Sequence, residues 1–412
     1  MAMTFPQDWP DRAPLLEAFA AALDAVDPEH AVRSALAENP LKGPVTVISI
    51  GKAAAAMARG VPGPASGIVV SDHVEAVPDG FATYLGSHPL PDDRSEAAGT
   101  AVVNALDSSD GAVLFLVSGG ASALCELPAP GVSIDDLALV TDALVRSGAD
   151  IGEMNVVRKH LSQLKGGRLG RRAEERAACT LVVSDVVGDR LDVIGSGPTV
   201  ADPSTFQDAL EVLERYQIGL PDAVATMLAR GESGDLPETP KQPIAGHAAS
   251  IVANGAIAAE AAKLSAVESG LASRVATTGL AGDAVTVVRH ALGTADEPGM
   301  TFLAGETTVE VTGTGSGGRN QHAALAAAIE LAERDDDLVF GALATDGVDG
   351  PTDGAGAVVD AGTVARGAAA GLDPREHLAN HNSHPYLEAS GDLLRIGPSG
   401  TNVGDLWVVW RP

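Results

Sequence analysis

At 412 residues the chain exceeds what one ordinary hydrophobic core accommodates, so two domains are expected. Its 55 acidic and 27 basic residues give a net charge of −28, a field that repels nucleic acid and anionic membranes. A polyphosphate could approach only where cations cluster locally. Lysine is confined to Lys42, Lys52, Lys159, Lys165, Lys241 and Lys263 while aspartate abounds, the composition of a surface kept soluble in a salt-rich cytoplasm. The opening MAMTFPQDWPDRAP has neither a basic nor an apolar leader region, and no apolar stretch reaches membrane-spanning length; a cytoplasmic location is expected. Cys125 and Cys179 each adjoin an apolar run, far apart in sequence, and read as free thiols without metal spacing.

Through the first two-thirds, short apolar runs alternate with alanine-rich segments. VTVISI (45–50), GIVV (67–70), AVLFLV (112–117) and TLVVS (180–184) are continuously apolar, as buried parallel strands are. Helices are expected between them in AAAAMARG, SIDDLALVTDALVRS and PSTFQDALEVLERY. This rhythm predicts an α/β fold with a doubly wound, mostly parallel sheet over residues 1–240. GESGDLPETPKQP then reads as a domain boundary or long surface loop. Beyond it, strands are expected at Ile251–Ala253, Arg274–Thr277, Met300–Leu303 and Thr307–Thr312, with TFLAGETTVEV folded as a hairpin turned at Gly305. Helices are expected at Gln321–Glu333 and Thr363–Ala370. Residues 241–412 thus form a smaller α/β domain with a mixed sheet.

Open α/β sheets bind ligands beyond the carboxyl ends of their strands, and several strand ends here carry unusual loops. In ISIGKAAAAMA a strand meets Gly51 and Lys52 and at once becomes a helix, which joins a full positive charge to free amide groups. It is not a Walker A loop, because Ala53 stands where Ser or Thr belongs. In FLVSGGASALCELP, Ser118, Gly119, Gly120 and Ser122 form a small-residue turn that lets backbone approach a ligand. In SDVVGDRLDVIGSGPTVADP, Asp185 ends a strand, Asp189 follows, and Ser196 and Gly197 supply a further backbone-rich wall. Two carboxylates four residues apart can divide the work of base and metal ligand.

MNVVRKHLSQLKGGRL gathers Arg158, Lys159, Lys165 and Arg168, half of the six lysines thus lying at 52, 159 and 165. Gly313, Gly315 and Gly318 of TGTGSGGRNQ satisfy GxGxxG, but Arg319 at the helix start suits phosphate or carboxylate better than an NAD ribose. ATDGVDGPTDGAG places Asp346, Asp349 and Asp353 after an apolar run. It reads as a turn or an active-site rim; Pro351 occupies a position where a calcium loop needs an oxygen ligand.

These stretches, with IGKAA and GPSGTNVGDLWVV, resemble the class II glycerate kinases over nearly the whole chain. The resemblance implies a Rossmann-like nucleotide-binding N-terminal domain, a smaller C-terminal domain, and an active site in the cleft between them for ATP, Mg²⁺ and D-glycerate. It implies phosphorylation of the 2-hydroxyl, with Lys52, Asp189 and Arg319 as catalytic residues. Ser118, Gly119, Gly120, Ser122, Lys159, Ser196 and Gly197 would bind nucleotide phosphate. Asp185, Arg158, Asp346 and Asp349 would contact substrate or its neighbours, Asp185 or Asp346 holding the metal. Thr314 and Ser316 stand where the resemblance leads one to expect a basic residue. The family has also been labelled hydroxypyruvate reductase, so an NAD(P)H-dependent reductase and a non-catalytic sugar-acid or nucleotide sensor are the rival readings. A homodimer is compatible with all three.

Overall fold

The computed structural model describes residues 9–63, 65–334 and 337–412; the leader reading of residues 1–8 lies outside them. The chain divides into two compact units, one of Pro28–Val183 and Arg190–Val252, the other of Met1–Asp27, Ser184–Asp189 and Ala253–Pro412.

The first unit holds a six-stranded sheet of β1 (Val45–Ile50), β2 (Ser66–Ser71), β3 (Phe81–Leu85), β4 (Ala112–Val117), β5 (Ala178–Val183) and β6 (His247–Ala253), in the order β3-β2-β1-β4-β5-β6. β1 pairs in parallel with both β2 and β4, and every residue of β4 is buried, which is why AVLFLV shows no polar alternation. Strand order reverses between β1 and β4, and ligands bind doubly wound sheets at such a switch point. The loops carrying Lys52 and Ser118 leave β1 and β4 there.

The second unit holds a mixed sheet of β7 (Ser273–Asp283), β8 (Gly299–Thr308), β9 (Val339–Ala344), β10 (Gly356–Val359), β11 (Leu393–Leu394) and β12 (Asp405–Arg411), ordered β11-β10-β9-β12-β8-β7. β12 pairs antiparallel with both β8 and β9, so DLWVVWR is central and its Trp407 is fully buried against Phe340. Helix Arg319–Ala332 packs on this sheet through Ala323, Ala324, Ala327 and Ala328, whose small side chains let it lie close. Among the described residues no helix is long and apolar enough to cross a membrane.

Three features differ from the sequence expectations. Gly305 does not turn a hairpin: β8 continues to Thr308, and a Cβ at Gly305 would lie 2.1 Å from the Leu280 carbonyl oxygen of neighbouring β7. The glycine serves close approach of two strands. β6 belongs to the first sheet, so the unit boundary follows Val252, beyond the loop expected to mark it at 240. Residues 9–27 join the second unit, because Arg12 donates to the Val358 carbonyl and, at 2.9 Å, to Asp392, while Leu15 and Phe19 meet Gly341 of β9.

Candidate active site

At the β1/β4 switch point the two expected loops touch. Lys52 N–H donates to the Gly119 carbonyl at 2.9 Å and Ala53 N–H to Ser118 Oγ at 3.1 Å. Gly51, at φ +130°, has no room for a side chain, since a Cβ would lie 2.1 Å from Ser118 Oγ. The Lys52 side chain is exposed beside Gly120, where a Cβ would lie 3.3 Å from Lys52 Cγ and 3.4 Å from His88 Cδ2. Burial and the Lys52 charge both lower the His88 pKa, so the imidazole is neutral near pH 7. Arg158 also acts on His88; partly buried and attracted by Glu126, its guanidinium takes no hydrogen bond or ion pair among the described residues. The Lys52 ammonium likewise takes none among the described residues, so two cations without a hydrogen-bonded partner act on His88 beside this turn.

Ser122 Oγ lies 2.7 Å from Ser196 Oγ, which donates to Asn155 Oδ1 at 2.8 Å. These bonds hold Ser196 at φ +60°, between Gly195 and Gly197, in a conformation unusual for a non-glycine residue. Lys159 is placed differently from a ligand-facing cation: it is 4% exposed and bonds Asp202 at 3.0 Å. Burial opposes charge on Asp202, but Lys159 and Ser204 outweigh it and keep the carboxyl below its usual range. Lys165 forms a second buried pair, with Glu126. The positive segment 158–168 therefore spends its lysines on internal carboxylates.

The second unit holds the remaining expected residues. Asp189 sits at φ +54°, tolerable for an aspartate, and accepts from Asn254 Nδ2 at 2.6 Å. Asp185, half-buried, accepts from Asn402 Nδ2 at 3.4 Å. Arg319 opens its helix with Nε donating to both Asp405 oxygens at 3.0 and 2.9 Å, and Nη1 2.8 Å from Glu306. Nη2 takes no partner among the described residues. Burial raises the pKa of Glu306; Arg319 opposes the shift, and Asp405 and Asp185 add to it. Negative charge thus exceeds positive around Asp185, Glu306 and Asp405.

The aspartates of 346–353 divide by role. Asp349, 2% exposed, accepts from Asn320 N–H at 3.1 Å and Gln321 N–H at 2.8 Å and so caps the Arg319 helix from a distant loop. Burial pushes its carboxyl up to about 6. Asp346 accepts from Val348 N–H at 3.0 Å, turning the loop, and remains half-buried. Asp353 is a surface group held down to about 2 by Arg395 and His384. Arg319, Asp346, Asp349, His322, His381 and Ser383 line a cavity of about 540 Å³ within this unit. His322 and His381 stack there at 4.9 Å, and burial and His381 lower the His322 pKa to about 4.

The GxGxxG loop has a structural explanation. A Cβ at Gly313 would lie 2.4 Å from the Asn380 carbonyl oxygen, at Gly315 2.5 Å from it, and at Gly318 2.3 Å from Asp349. The helix N-terminus that would hold a pyrophosphate is already occupied by the Asp349 carboxylate. Burial pushes the free Cys125 thiol up to about 12, and Cys179 is also free. His88, whose charge environment includes Lys52 and Asp72, was missed in the sequence, as were Glu306 and Asp405. IVVSDH and GSHPLP are strand ends like those weighed above and carried the signal for Asp72 and His88.

Cations without a hydrogen-bonded partner at a doubly wound switch point are the arrangement of a unit that takes an anionic small molecule. Residues 14–229 match a domain of unknown function, DUF4147, and residues 299–405 match the MOFRL family. The D-glycerate 2-kinase of Thermotoga maritima is 40% identical, over 93% of this chain and 94% of that protein. The glycerate 2-kinase of Pyrococcus horikoshii is 37% identical, again over 93% and 94%. The crystal structure of glycerate kinase from Thermotoga maritima superposes with a TM-score of 0.90 at 38% identity, covering 97% of this chain and 99% of that one. The chain belongs to the glycerate kinase family, and its activity is that of a kinase.

Proposed function

We propose that the protein transfers the γ-phosphoryl group of ATP to the 2-hydroxyl of D-glycerate, giving 2-phosphoglycerate and ADP. The observation that carries the reading is the pairing of the Lys52 and Ser118 loops at the β1/β4 switch point, with the Lys52 and Arg158 side chains taking no hydrogen-bonded partner among the described residues. Relatives named glycerate 2-kinase, matched over nearly their whole length, support the substrate and regiochemistry.

Phosphoryl transfer needs positioning and charge neutralisation more than covalent help from the protein. Lys52 and Arg158 would neutralise the ATP phosphates, while the glycine turn at Gly119 and Gly120 lets backbone lie against them. Asp189 would take the proton as the substrate's 2-oxygen bonds to the γ-phosphorus and the bond to ADP breaks. Asn254 fixes that carboxylate at 2.6 Å. Arg319, its Nε tied to Asp405, would present Nη2 to the transferring phosphoryl oxygens. Among the described residues no group of three metal ligands occurs. Mg²⁺ on a nucleotide needs only one or two carboxylates, and the excess negative charge near Asp185 and Glu306 fits it. Asp185 would hold the ion, which when bound neutralises phosphate charge.

ADP release that requires both D-glycerate and ATP tests the reading. Turnover of ATP alone, or of neither, would overturn it.

A further inference from the structure

A second cavity, of about 600 Å³, opens in the doubly wound unit and is lined by Arg168, Arg171, Arg172 and Lys241, with Glu238 the one acid among them. In a chain with 55 acids and 27 bases this is a local inversion of charge. Glu238 faces Lys241 and His160, each at 3.2 Å, so it offsets Lys241 and leaves the three arginines as the excess positive charge of the lining. Arg168 is partly buried, and the one hydrogen bond of its side chain among the described residues runs to the Lys159 carbonyl at 2.7 Å. Most of its donors are thus unspent. Arg171 pairs with Glu174 at 2.9 Å and Arg172 with Asp107 at 3.4 Å, acids that do not line the cavity. Positions 168, 171 and 172 are spaced to share one helical face.

The cavity also lies away from the catalytic loops. Asp107, the partner of Arg172, closes the helix Asp93–Asp107 that leads into β4, and Arg176 binds the carbonyls of Leu106 and Ser109 in the same connection. The arginines therefore sit by the amino ends of β4 and β5. Lys52 and Ser118 follow the carboxyl ends of their strands, at the opposite edge of the sheet.

We propose that this cavity binds a small phosphate monoester at a site separate from the catalytic one. Guanidinium forks match phosphate oxygens bidentately, and three on one face suit a dianion better than a single carboxylate. Gln163 and Gln242 on the wall offer neutral amides to the ester's hydroxyl groups. The volume is that of a small-molecule pocket. The global field of −28 works against a nucleic acid or an anionic membrane at the same patch.

The test titrates full-length Lys52→Ala protein, in which the switch-point loop has lost its lysine, with inorganic phosphate and with glycerol 3-phosphate by calorimetry in chloride buffer. One saturable site per chain is expected, weakened at least about tenfold when Arg171→Glu and Arg172→Glu are added. Both arginines are surface residues outside the proposed catalytic set, so the same pair of changes in the wild-type background should leave the melting temperature and kcat nearly unchanged. Absence of saturable binding by either probe, or binding that the two charge reversals leave intact, would overturn the proposal.

Discussion

The carboxylate of Asp349 accepts the backbone N–H of Gln321 at 2.8 Å and so caps, from a loop 28 residues further on, the helix that begins with Arg319. Asp349→Ala would leave buried donors of Asn320 and Gln321 without an acceptor, at a cost of roughly 1–3 kcal/mol. Asp349→Asn keeps one carbonyl oxygen and should cost less. Chemical denaturation of the two variants at pH 7 makes the comparison; equal stability of Asp349→Ala and wild type would contradict it.

The same residue predicts a pH dependence. Its folded pKa, about 6, lies above the usual carboxylate value, so the folded state holds the proton more tightly than the unfolded one. The contribution of Asp349 to stability is therefore present at low pH and is lost as pH rises from about 4 through about 6. Carboxyl ¹³C NMR should find its midpoint well above 4. Asp349→Asn should remove this part of the pH dependence of unfolding.

Lys52 tests the phosphate side of the mechanism. Lys52→Ala removes an exposed cation with no partner among the described residues, so melting should be unchanged while kcat falls by about 10²-fold or more. Loss of stability in parallel with activity would mean that the lysine supports the fold instead.

The two aspartates of the 185–189 segment should separate kinetically. Asp189→Asn, removing the base, should lower kcat by about 10²–10⁴-fold at saturating Mg²⁺. Asp185→Asn should raise the Mg²⁺ concentration needed for half-maximal rate and recover at high metal. Exchanged phenotypes would exchange the roles.

Lys159 predicts the opposite pattern from Lys52. Removing it strands the buried Asp202 carboxylate, so Lys159→Met should destabilise the protein by about 3–5 kcal/mol. Adding Asp202→Leu should restore part of that loss. An unchanged melting temperature in Lys159→Met would place Lys159 with the ligand-facing cations.

The legible parts of this molecule were those in which local pattern and tertiary demand coincide. VTVISI and AVLFLV, largely or wholly buried, became strands with the expected bounds. Lys159 was legible as a cation but not as a spent one, because Asp202 lies 43 residues away and nothing local announces the pair. Gly305 and Gly318 show the same limit. Each reads as a turn or a phosphate loop, yet each is glycine because a remote backbone or carboxylate, at Leu280 and Asp349, comes within 2.1 and 2.3 Å of where a Cβ would stand. Arg12 was invisible for the opposite reason: its partner Asp392 is 380 residues distant.

The central claim is the transfer of phosphate to one particular oxygen. Purified protein incubated with D-glycerate, ATP and Mg²⁺ in high potassium chloride, with the product read by ³¹P NMR, should give a phosphate ester on carbon 2. An ester on carbon 3 would keep the kinase and contradict the regiochemistry, and oxidation of NADH by hydroxypyruvate without consumption of ATP would contradict the kinase itself.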